Sequence, residues 1–132
     1  MSIKVLFDKN GTTGTTGDNT NPLPATNNAD AKGLPIYNGF YPEFPIEFAF
    51  TKSTVDCTFA MEGTLDGTLW STLAFVRCDT GATVASVALT TSARFIVKPV
   101  LASHLHAIRP VAYTSAGAAV GDVAVIRAFL KQ

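Results

Sequence analysis

The segment "PIEFAF" limits most sharply what this chain can become. Ile46, Phe48 and Phe50 fall on one side of an extended backbone, with Glu47 and Ala49 on the other. Large apolar residues at a period of two, on one side only, describe a strand that buries one face. The same texture continues along the chain after Leu34. Val, Ile, Phe, Thr and Ala dominate, while Gly, Pro, Asn and Asp cut the chain into short segments and no long stretch keeps a helical period. Runs at 3–7, 55–63, 69–78, 82–90, 93–100, 105–113 and 119–130 join the first, giving about eight strands at the spacing of an antiparallel β-sandwich or jelly roll.

The breaks between runs carry turn chemistry. Asp66-Gly67 supplies the positive backbone angles of a tight hairpin turn, and "DTG" at 79–81 and "SAG" at 115–117 suit slightly longer loops. Consecutive strands are therefore expected to be mostly antiparallel neighbours. Pro99 and Pro110 each fall in a strand-like run, where a missing donor is tolerated at an edge, a bulge or a strand end, so both are expected to mark bends.

Residues 9–33, "KNGTTGTTGDNTNPLPATNNADAKG", differ in kind. They are polar, rich in Gly, Thr and Asn, and hold only Leu23 as a sizeable apolar side chain, so they cannot build a core alone. The chain divides into residues 1–33, an N-terminal strand with a long polar arm, and 34–132, the β-sandwich. The strand "SIKVLF" can pair with its own sheet or with a neighbour's by strand addition. A linker within the subunit is the preferred reading of the arm.

Charge narrows the function classes. Ten basic and ten acidic residues cancel and no basic run stands apart, which argues against nucleic acid and an anionic membrane as partners. The N-terminal "MSIKVLFDKN" has the wrong order and length for a signal peptide, and no segment approaches a membrane span, so a soluble protein outside the standard secretory route is expected.

Catalytic candidates are weak. His104 and His106 in "SHLHAIRP" share one face of a strand and could offer two ligands to a metal, but a third is missing nearby. Asp56, Glu62, Asp66 and Asp79 are scattered at hairpins, and no nucleophile elbow, phosphate loop or HExxH segment is present. The expectation is no enzyme and no cofactor. Cys57 and Cys78 lack a CxxC or Cys/His cluster and read as buried thiols.

Trp70, the sole tryptophan, is expected in the core beneath the Asp66-Gly67 turn, because Leu65, Leu69 and Leu73 surround it in sequence. Arg94, Arg109 and Arg127 sit inside apolar strands, in "ARFIV", "AIRPV" and "VIRAF". Each must either snorkel out of the sheet or pair with a carboxylate at an interface.

"FAMEGTLDGTLWSTL", followed by "RFIVKP", "LHAIRPVAY" and "GDVAVIRAFL", is similar over about residues 55–130 to the small virion proteins of tailed bacteriophages. That resemblance implies a β-sandwich or jelly-roll module that decorates or cements the capsid, or serves in tail or fibre. It also implies a homo-oligomer, with a trimer favoured, which is made in the host cytoplasm and bound to a major capsid protein on the virion surface. The Thr-x-Asp-Gly-x-x-Trp hairpin also resembles discoidin-like domains, which bind carbohydrate at loop tips. A sugar site would need exposed aromatics near Arg and Asp, an arrangement not visible in the sequence.

Overall fold

A computed structural model describes residues 2–10, 23–37, 45–100, 105–114 and 122–130. Among them lie eleven strands and a single 3-10 turn at Ala29–Ala31. The strands are β1 (Ser2–Asn10), β2 (Ile36–Tyr37), β3 (Ile46–Thr51), β4 (Cys57–Thr64), β5 (Ser71–Thr72), β6 (Phe75–Arg77), β7 (Thr83–Val84), β8 (Ser86–Leu89), β9 (Ala93–Pro99), β10 (Ala107–Thr114) and β11 (Val123–Leu130). They form two antiparallel sheets. One is six-stranded in the order β1-β11-β3-β9-β6-β7; the other is five-stranded in the order β2-β10-β4-β5, with β8 also on β4. The molecule is a β-sandwich.

The alternation in β3 works as its pattern requires. Ile46, Phe48 and Phe50 are buried while Glu47 and Ala49 are only half-buried. Phe48 of the first sheet stacks on Phe59 of the second, with centroids 4.8 Å apart and planes 5° apart, and Phe75 and Phe95 meet Phe48 edge-on. Each such ring contributes roughly 1.5–3 kcal/mol by burial, and each aromatic contact about 0.5–1.5 kcal/mol more.

Consecutive strands are not mostly neighbours, contrary to expectation. Only β4-β5 and β6-β7 are sequential pairs; the other pairings join strands distant in sequence. The cause is that the chain changes sheet inside runs that read as continuous. Ser71–Thr72 pairs in the second sheet and Phe75–Arg77 in the first, with the corner at Leu73 and Ala74. Thr83–Val84 and Ser86–Leu89 part in the same way at Ala85. Neither corner holds a glycine or proline that would mark the break in the sequence.

β1 lies in the subunit's own sheet, paired along its length with β11, and Leu6 and Phe7 are in the core. Residues 23–37 then run beside β10 and close one side of the sandwich. Leu23 and Ala31 are buried, Thr114 N donates to Pro24 O, and Gly33 N donates to Pro110 O. The stretch 32–34 bridges the sheets, because Leu34 N also donates to Leu6 O. A Cβ on Gly33 would stand 2.6 Å from Pro110 Cγ and 2.8 Å from Leu6 O, so only glycine fits there. Residues 11–22 of the polar arm and the "SAG" turn lie outside the described residues. Pro110 falls in the middle of β10, where the strand gives up one donor yet keeps its carbonyl bond from Gly33. Pro99 is the last residue of β9.

Candidate interface

The outer face of the five-stranded sheet is organised around Glu62. Arg109 is its register partner on β10, and Nε and Nη2 of that arginine both lie 2.9 Å from Glu62 Oε1. Lys32, delivered by the strap along β10, donates from Nζ to Glu62 Oε2 at 2.8 Å and to Asn27 Oδ1 at 2.6 Å. Burial alone pushes the Glu62 carboxyl upward, but the hydrogen bonds and charges of Lys32 and Arg109 outweigh it and hold the carboxyl below its ordinary value. Trp70 completes the group, with the guanidinium carbon of Arg109 at 4.0 Å from the indole centroid. The tryptophan is half-buried and lies on the sheet's outer side rather than in the core, a correction to the expected plug. Two of the three neighbouring leucines misled: Leu65 and Leu69 are exposed at 77% and 74%, while Leu73 packs against the core.

The loop between β4 and β5 is longer than a two-residue hairpin turn and is held by its own side chains. Asp66 Oδ1 accepts from the N–H groups of Thr68 (2.8 Å) and Leu69 (3.0 Å) and from the Thr64 hydroxyl (3.1 Å). Thr64 Oγ1 in turn accepts from Gly67 N at 2.9 Å, and Gly67 takes φ +84. The N–H groups of Leu69 and Thr68 hold the Asp66 carboxyl below the usual carboxylate range. Beside this loop is a concavity of about 340 Å³, walled by Leu65, Leu69, Leu73 and Leu105 with Asp66 among its lining residues.

On the opposite sheet, Glu47 is flanked by two of the singled-out arginines. Arg127 Nη1 donates to Glu47 Oε1 at 3.1 Å, and Arg94 Nε lies 3.8 Å from Glu47 Oε2 with its side chain 68% exposed. The arginines in apolar strands therefore each find a carboxylate within the subunit: Glu62 for Arg109, and Glu47 for Arg94 and Arg127.

His106 is exposed and meets Tyr37 edge-on at 5.6 Å; His104 lies outside the described residues. Among the described residues no group of three or more His, Cys, Asp and Glu side chains is placed to share a metal ion. Cys57 is buried and its thiol is pushed up to about 12 by burial, whereas Cys78 is exposed, so the expectation of two buried thiols holds for one. Both are free.

Sequence reasoning missed Lys32, Glu47 and Asp122. Asp122 is fully buried, and its carboxylate accepts from Ser53 N (2.6 Å), Thr54 N (2.8 Å) and the Thr54 hydroxyl (2.6 Å), tying β11 to the loop after β3. Nothing local marks it, because every one of those donors lies far away in sequence.

No family model matches the chain, and no curated protein matches it. The fold is similar to that of the crystal structure of SPBc2 prophage-derived protein YomS, with a TM-score of 0.53 and 11% identity over 99% of this chain and 96% of that one. At that identity the likeness is one of fold.

Proposed function

We propose that this chain is a non-enzymatic structural protein of a bacteriophage particle, and specifically a decoration protein that binds the major capsid protein of the assembled head and stabilises the shell from its outer surface. The observation that carries this reading is the likeness in fold to a prophage-derived protein, which runs through nearly the whole of both chains. The resemblance over residues 55–130 to small virion proteins points the same way. The side-chain chemistry supports it too. Glu62, Glu47, Asp79 and Asp122 are each engaged by fixed partners that stiffen the sandwich: Arg109 and Lys32, Arg127, Arg77, and the 53–54 backbone. Carboxylates used this way serve rigidity rather than proton transfer.

A subunit that binds only the assembled shell raises its stability by mass action, about 2.7 kcal/mol per site at a free concentration a hundred times Kd. Co-sedimentation with purified heads tests the reading. Saturable pelleting with assembled heads, absent with unassembled capsid protein, together with a higher disruption temperature of the heads, is expected. Pelleting with tails and not heads would move the protein to the tail or fibre. A glycan array with a specific hit would replace both readings with a carbohydrate-binding module.

A further inference from the structure

Leu65 and Leu69 are the two most exposed large apolar side chains among the described residues, at 77% and 74%. They stand on a loop that cannot readily fold them away, because Asp66 Oδ1 and Thr64 Oγ1 accept from three of its backbone N–H groups and the Thr64 hydroxyl also donates to Asp66. Asp66, whose Oδ1 accepts three of these bonds, is itself exposed on the same loop as the two leucines.

On the other sheet, a shallow concavity of about 360 Å³ is lined by Ile96, Phe95 and Cys78 together with Arg94, Glu47 and Asp79. Ile96 is 40% exposed. The two acids here are engaged, Glu47 by Arg127 at 3.1 Å and Asp79 by Arg77 at 2.7 Å. Arg94, 68% exposed and 3.8 Å from its nearest carboxylate oxygen, is the loosely held charge of the concavity.

We propose that the 65–70 loop of one copy of this chain seats in the β9 concavity of a second copy, placing Leu65 and Leu69 against Ile96 and Asp66 against Arg94. Apolar surface meets apolar surface, and an exposed anion meets a loosely paired cation. The two surfaces belong to opposite sheets, so the contact is head-to-tail. Every added copy brings one used and one unused surface, and growth stops only if a ring closes. The contact goes beyond the capsid reading and does not depend on it.

Light scattering after size exclusion tests the contact with Leu69→Asp, which spoils the loop, and Ile96→Asp, which spoils the concavity. The parent is expected to run as an oligomer, and each variant as a monomer that keeps the parent's β circular dichroism spectrum and a cooperative melt. An equimolar mixture of the two variants should then give a dimer and nothing larger, since only one intact loop and one intact concavity can meet. A parent that stays monomeric at all concentrations, variants that keep the parent's mass, or a mixture that remains monomeric would each overturn the proposal. Should either variant fail to fold, Leu65→Ser and Arg94→Glu serve in the same two roles. Head binding is read separately by sedimentation, so loss of one activity does not mimic loss of the other.

Discussion

Arg109 lies between Trp70 and Glu62: its guanidinium carbon is 4.0 Å from the indole centroid, and its Nε donates to the carboxylate at 2.9 Å. One planar cation on β10 thus joins a loop-end aromatic to a carboxylate on β4, a geometry that an ammonium cannot reproduce.

Replacing Arg109 by Lys should therefore cost stability even though the charge is kept, by about 1–3 kcal/mol from the lost stack and lost fork. Because Trp70 is the sole tryptophan, its emission should shift in Arg109→Lys and Arg109→Ala. Trp70→Ala should cost less than the roughly 3–5 kcal/mol of a fully buried aromatic. Chemical denaturation followed by fluorescence and circular dichroism measures each; an unchanged emission spectrum in Arg109→Ala would contradict the stack.

The Glu62 carboxyl, held low by Lys32 and Arg109, contributes stability that is fully present above the ordinary unfolded pKa of about 4.3 and is lost as pH falls through its depressed folded value. Melting temperature should drop on the acid side of that range. In Glu62→Gln the parent should lose its advantage there, so the two curves converge at low pH and separate towards neutrality.

Two glycines should resist substitution for different reasons. Gly67→Val places a β-branched side chain at φ +84, and Gly33→Ala drives a methyl into Pro110 and the Leu6 carbonyl. Each should lower stability by about 1–3 kcal/mol. Asp66→Asn keeps an oxygen acceptor for Thr68 N and Leu69 N and should cost the fold of the subunit little, whereas Asp66→Ala should loosen the loop and expose its amides to rapid hydrogen exchange.

Thiol labelling should proceed in two stages. Cys78, exposed in the single subunit, should react in the folded Leu69→Asp monomer, and buried Cys57, its thiol raised to about 12, only after unfolding. Mass spectrometry counts the adducts; prompt double labelling would show that β4 opens far more readily than its burial implies.

The strands were legible because alternation is local: "PIEFAF" declares its buried face whatever lies opposite. What local pattern cannot show is where the chain changes partners. The corners at Leu73-Ala74 and Ala85 carry no glycine or proline, so 69–78 and 82–90 read as single strands. Arg94, Arg109 and Arg127 were visible as charges in apolar company, but Glu62 and Glu47 become their partners only through register between strands distant in sequence. Trp70 shows the limit from the other side. Neighbouring leucines suggest a core when the backbone is extended; in a loop fixed by Asp66 they point outward and take the tryptophan's expected surroundings with them. The two-residue β2 was missed because Ile36–Tyr37 is too short to show any period.

The pairing of β1 with β11 sets an order in time. In the first sheet β11 stands between β1 and β3, so the opening strand has no site in that sheet until residues 123–130 arrive. During synthesis, Leu6 and Phe7 emerge before residues 123–130 and wait for that later strand to complete the surface that covers them. Over that interval an apolar strand with an unpaired edge is open to chaperones and to other nascent chains, and a truncated product ending before Val123 would carry that exposure permanently.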